Sequence, residues 1–171
     1  MKNTQVLQLT SKYQLTQTIV VLGATMLLPI LIHLLPNING QISGAVLLPI
    51  FFAPMIAAFL YKKHVAIFAG IFAPLLNFLI MGRPAPEMVI TLGFEVVLFV
   101  LILGWLKKFK IINYIVAPVA YLISSLTVVV GLSFLGNLAN PLSVWLNSTL
   151  VAIPGIILMG ILNLFILKFR K

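Results

Sequence analysis

The stretch AVLLPIFFAPMIAAFLY at 45–61 has no charged side chain and ends against Lys62 and Lys63. Crossing the hydrocarbon core as a helix takes about 17–25 residues of this kind, because an unpaired peptide group cannot be left in lipid. Five other runs have the same form. The expected spans are about 16–35, 45–61, 64–80, 88–106, 111–132 and 145–167. Only 8% of the residues are charged and the mean hydropathy is +1.21. A soluble domain keeps about 25% charged residues to face water. The reading is an all-α integral membrane protein, a single domain over 1–171 with six transmembrane helices.

The short polar linkers alternate in character. Lys62 and Lys63, the cluster Lys107, Lys108 and Lys110, the end KFRK, and Lys2 and Lys12 fall on one side. PNINGQISG at 36–44, MGRPAPE at 81–87 and SFLGNLANPLS at 133–143 fall on the other. Ten of the eleven Lys and Arg thus share one side, and the positive-inside rule makes it cytoplasmic with both termini inside. The net charge of +9 faces anionic headgroups, and nucleic acid is not an expected partner. The polar start MKNTQVLQLTSKYQL leads into a run long enough to span, so the first helix is expected to be retained.

Six prolines fall inside the apolar runs: Pro29, Pro49, Pro54, Pro74, Pro118 and Pro154. Membrane helices tolerate them where neighbours satisfy the freed carbonyls. They imply kinked helices around a cavity, or simply ordinary membrane-helix composition.

Both acids of the chain, Glu87 and Glu95, lie in MGRPAPEMVITLGFE with Arg83. Glu87, Thr91 and Glu95 are four apart and share one side of a helix. Glu95 is expected about 12 Å deep at 1.5 Å per residue. A carboxylate there costs about 2.5–3.5 kcal/mol on insertion scales. The first expectation for Glu95 is a structural buried acid that clasps the bundle, with ligand contact and proton relay as the other roles. Arg83 is either a loop arginine reaching outer headgroups or a ligand contact.

Nothing in the chain carries enzyme chemistry. There is no cysteine, no GxSxG, HExxH or P-loop, and His33 and His64 lie at opposite membrane faces. No metal and no cofactor is expected. Small residues at Ala53 and Ala57, Ala66 and Gly70, and Ala69 and Ala73, with Gly23 and Ala24, let helices approach closely. They serve either packing within the bundle or docking of a partner.

Residues 44–106 resemble the substrate-binding S components of energy-coupling factor (ECF) importers for vitamins and related micronutrients. FAPLLNFLIMGRPAPEM and GFE supply the similar pattern. The resemblance implies a non-enzymatic subunit in a prokaryotic cytoplasmic membrane that binds a small molecule from outside. Its implied partners are a transmembrane coupling protein and two ABC-type ATPases. The implied substrate-binding residues are Asn39, Gln41, Arg83, Glu87, Thr91, Ser125, Asn137, Asn140, Trp145 and Asn147. The first helix, VVLGATMLLP, lacks the Ala-x-x-x-Ala often used for docking, and LLPIFFAP lacks a histidine found in some relatives. Two other readings compete. One is a structural protein of the MreD type in cell-shape machinery. The other is a small ion-coupled carrier, which would need ion ligands near the midplane.

Overall fold

A computed structural model describes residues 2–38, 40–136 and 140–169, with side chains described for 12–38, 40–109, 113–136 and 140–169. Eight α-helices form in order: α1 (Lys2–His33), α2 (Ser43–Leu47), α3 (Pro49–Leu60), α4 (Lys63–Met81), α5 (Pro86–Leu106), α6 (Val116–Phe134), α7 (Pro141–Val151) and α8 (Ile153–Phe169). A 3-10 turn over Lys110–Ile115 precedes α6. No strand forms among the described residues.

Five stretches are long and apolar enough to cross a membrane: Lys12–His33, Ser43–Leu60, Lys63–Met81, Pro86–Leu106 and Asn113–Phe134. A sixth arises if α7 and α8, bent by 65° at Ala152, count as one span. The described helices are therefore consistent with a multi-pass membrane protein. Two of the expected spans are discontinuous. The second breaks at Leu48, which adopts a left-handed φ of +53° between α2 and α3. The sixth breaks at Ala152. Each break lies next to a proline, Pro49 or Pro154, whose nitrogen cannot donate to the preceding turn.

The prolines divide into two groups. Pro49, Pro118 and Pro154 sit in the first turn of α3, α6 and α8, where a missing N–H costs little. Only Pro29, Pro54 and Pro74 are interior. Two carbonyls that a proline leaves without a helical donor receive an asparagine instead. Pro29 cannot donate to Thr25, and the Asn77 amide does so from α4 at 3.1 Å. Pro118 cannot donate to Tyr114, and the Asn163 amide does so from α8 at 2.8 Å. Asn163 also donates to the Asn113 carbonyl at 2.9 Å. In both asparagines the Oδ1 atom is buried without a partner, so the amide nitrogen carries the interaction.

Around the Leu48 break, α8 closes in through Gly155. A Cβ there would lie 2.7 Å from Leu47 C and 2.8 Å from the Val46 carbonyl oxygen. Glycine is what the approach requires. At the other end of α3, the Lys107 ammonium donates to the Ala58 carbonyl and lies 4.9 Å over the Phe59 ring. One residue of the basic cluster that follows α5 thus caps the helix beside it.

The small-residue faces of α3 and α4 are interior. Ala53, Ala57, Ala66, Ala69 and Ala73 are 0–3% exposed, and Gly70 is buried. A Cβ on Gly70 would meet Val96 and Val97 of α5 at 3.1–3.3 Å. These six residues are spent on packing within the bundle, the first of the two roles open to them from the sequence. Gly23 remains open, with nothing within 4 Å of a Cβ built on it, and Ala24 is half-buried.

Candidate functional site

Gly82, at φ +66°, ends α4 by donating to the Phe78 carbonyl at 2.8 Å. The chain turns through a cis Arg83–Pro84 bond and re-enters a helix at Pro86. Arg83 is exposed in this turn. Glu87, also exposed, lies in the first turn of α5, where a carboxylate gains about 0.3–1 kcal/mol from the helix dipole. Arg83 and Glu87 form no ion pair among the described residues. The nearest charged neighbour acting on His33, at the end of α1, is Arg83. The His33 imidazole lies over Gly44, 2.6 Å from where a Cβ would be. The Ser43 hydroxyl donates to the Ile32 carbonyl at 2.8 Å, tying the end of α1 to α2.

Along α5 the polar side chains become more enclosed with depth. Glu87 is exposed, while Thr91 and Glu95 are half-buried. The Glu95 carboxyl lies within Coulombic reach of the Tyr121 phenol on α6. One helical turn outward from Tyr121 is Ser125, and one turn outward from Glu95 is Thr91. Trp145 of α7 donates its indole N–H to the Ser125 hydroxyl at 3.0 Å, and that hydroxyl donates to the Leu122 carbonyl at 3.1 Å. Thr149, one turn beyond Trp145 on the same face, has a buried hydroxyl with no partner. A threonine within a helix usually donates to the preceding turn, which this hydroxyl does not do.

Beneath these groups lies an aromatic cluster. The Phe51 ring is edge-on to Phe99 at 5.3 Å and to Tyr121 at 5.2 Å. All three rings are at most 5% exposed. The site thus combines one acid, hydroxyls and an indole above a set of rings, between α3, α5, α6 and α7.

The expected binding residues do not all come together. Thr91, Ser125 and Trp145 belong to this centre, and Glu87 stands at its outer end. Arg83 lies with His33 and Gly44 at the end of α1. Gln41 is exposed, its backbone paired with Ile38 in a tight turn at 2.9 Å in both directions. Asn140 and Asn147 are exposed on α7 or at its start. Asn39 and Asn137 lie outside the described residues. Glu95, expected to clasp the bundle, makes no hydrogen bond or ion pair among the described residues, so its carboxyl holds no helix to another. Sequence reasoning missed Tyr121, Phe51 and Phe99 as parts of the centre. The only signal was an aromatic residue one turn inward from Ser125. Among the described residues no three His, Asp or Glu side chains come together.

Compared with known protein families, curated proteins and solved structures, the chain matches none.

The Trp145 bond ties α7 to α6. Trp145→Phe keeps the ring and removes the donor, at a cost of about 0.5–1.5 kcal/mol. Faster protease cleavage within 141–151, with unchanged helicity of the whole protein, is the expected readout.

Proposed function

We propose that the chain is a small-molecule-binding membrane subunit of the ECF S type in a prokaryotic cytoplasmic membrane. In this reading it takes its substrate from the side opposite the basic loops, with both termini inside. The observation that carries the reading is that Glu95 of α5 lies beside Tyr121 of α6, one turn inward from the Ser125–Trp145 hydrogen bond. Polar groups inside a membrane bundle are costly, and their gathering at one place is a functional signal. The placement of ten of eleven Lys and Arg on the other side supports an outward-facing mouth. Energy would come from a transmembrane coupling protein and two ABC-type ATPases. With the α3 and α4 small faces buried, docking falls to α1 around Gly23 and Ala24, because that span has little burial inside the bundle.

A second reading is favoured by the two discontinuous spans and the unpaired Glu95. Ion-coupled carriers place broken helices and an ionisable group near the midplane. Mass spectrometry of small molecules co-purifying from rich medium, followed by uptake into proteoliposomes, separates the readings. A tightly bound nutrient and no uptake by the chain alone is the expected result. Uptake by the chain alone under a sodium or proton gradient assigns a carrier. A folded protein that carries nothing and binds no member of a vitamin panel removes both and favours a structural role.

A further inference from the structure

Two sets of contacts fix the height of α8 against α6. The Asn163 amide donates to the Asn113 and Tyr114 carbonyls just before α6. A Cβ on Gly160 would lie 3.5 Å from the Pro118 ring. The two helices therefore run antiparallel from that end. Ile153, the first residue of α8, comes seven residues before Gly160, about 10 Å away at 1.5 Å per residue. Ser125 comes seven residues after Pro118 and is displaced along α6 by the same amount. The start of α8 thus stands at about the height of Ser125. Trp145, eight residues earlier in the chain, is bonded to Ser125 itself at 3.0 Å. The chain advances about 12 Å from Trp145 to Ile153 and gains almost no height on α6. α7 therefore runs across α6 rather than alongside it, in agreement with the 65° bend.

Ser125 lies nine residues, about 14 Å, short of the end of α6 at Phe134. α7 is uncharged and none of its residues is buried. Leu142, Leu146 and Leu150 are four apart and form one exposed apolar side. Ser143 and Asn147 form the side next to it, also exposed. The hydroxyls of Ser143 and Ser148 donate to the Asn140 and Trp145 carbonyls of their own segment, so they need no other element. α8 has 17 residues, enough by itself for a crossing.

We propose that α7 does not cross the membrane but lies along the leaflet opposite the basic loops, and that its partner is lipid. Leu142, Leu146 and Leu150 meet acyl chains, Ser143 and Asn147 meet the headgroup region, and α8 alone makes the last crossing. A helix with an apolar and a polar side settles about 5–10 Å into the boundary between headgroups and chains. The indole of Trp145 suits the same depth. The inference stands whether the bundle binds a substrate or carries an ion.

The chain has no cysteine, so single cysteines can be placed and spin-labelled one at a time. The positions are Leu142, Ser143, Asn147 and Leu150 of α7 and Ile157 and Phe165 of α8, all exposed. The full chain is reconstituted in phosphatidylcholine liposomes. Depth is read from power saturation with oxygen against a water-soluble nickel chelate. Leu142→Cys and Leu150→Cys are expected within about 5 Å of each other in depth, their axial separation reduced by the cosine of 65°. Ile157→Cys and Phe165→Cys, equally spaced in sequence, are expected about 12 Å apart. Ser143→Cys and Asn147→Cys are expected to lie shallower than the leucine positions. A separation of Leu142→Cys from Leu150→Cys as large as that of the α8 pair makes α7 part of a crossing and overturns the proposal. Labels that meet the nickel chelate all round the helix put α7 in water and overturn it. Immobile labels reached by neither reagent put a second copy or another protein on this face and also overturn it. Unlabelled wild type gives an independent test with photoactivatable lipids. A diazirine near the headgroup is expected to modify α7, and one at the acyl-chain end to modify α8 around Ile161. A chain-end probe that modifies Leu150 as strongly as Ile161 overturns the proposal even if no cysteine variant folds.

Discussion

Gly155→Val is expected to prevent the bundle from folding, read as loss of monodisperse protein after detergent extraction. The first added carbon alone would sit 2.7–2.9 Å from Leu47 C and the Val46 and Leu47 carbonyl oxygens. Those are backbone atoms, fixed by the Leu48 break, and no rotamer change moves them aside. Overpacking a core usually costs about 1–3 kcal/mol where side chains give way. Gly155→Ala is expected to fall in that range and to lower the melting temperature. Valine adds two more carbons at the same wall and exceeds it. Gly131→Ala is the control, since its Cβ would meet nothing within 4 Å. That variant is expected to be neutral or stabilising by about 0.5–1 kcal/mol, the usual gain on replacing an interior helical glycine.

Asn163→Leu is the second large effect. The side chain is 0% exposed and donates to two carbonyls, Asn113 and Tyr114. Pro118 has already removed the helical donor for Tyr114, so no backbone group replaces the amide. Each of the two part-buried bonds is worth about 0.5–1.5 kcal/mol, giving a loss of about 1–3 kcal/mol for the pair. Asn163→Asp is expected to do no better, since an acid offers at most one proton to two acceptors. The measurement is reversible unfolding in mixed micelles, with Asn147→Leu as an exposed control.

Much of the fold was readable from the chain. Runs expected at 64–80 and 88–106 form helices at Lys63–Met81 and Pro86–Leu106, because long apolar stretches between basic and polar turns leave the backbone one solution in lipid. The breaks were not readable. LLPI around Leu48 and VAIPG around Ala152 look like the other proline-containing runs, and only neighbouring helices decide which proline bends a helix and which begins one. The small residues were ambiguous for a similar reason. Ala53 and Gly23 carry the same signal, yet one is enclosed by α3's neighbours and the other is open. At the site, Thr91, Ser125 and Trp145 stood out because polar or indole groups are rare in such runs. Phe51 did not, since in an all-apolar segment no periodicity marks which ring faces inward. Glu95 was recognised as unusual, but the number of its partners is a tertiary fact.

The central position of α3 has a further consequence. The Ser43–Leu60 stretch is 61% buried inside the bundle, against 17% for the first span. Its twelve-residue helix, about 18 Å long at 1.5 Å per residue, is shorter than the hydrocarbon core, about 30 Å. A lipid-facing helix of that length would force the bilayer to thin around it. Enclosed by protein, α3 is released from matching any thickness. Changes in acyl-chain length are then expected to fall on the tilt of α1, α4 and α5, with Phe51 and the rings around it keeping their place.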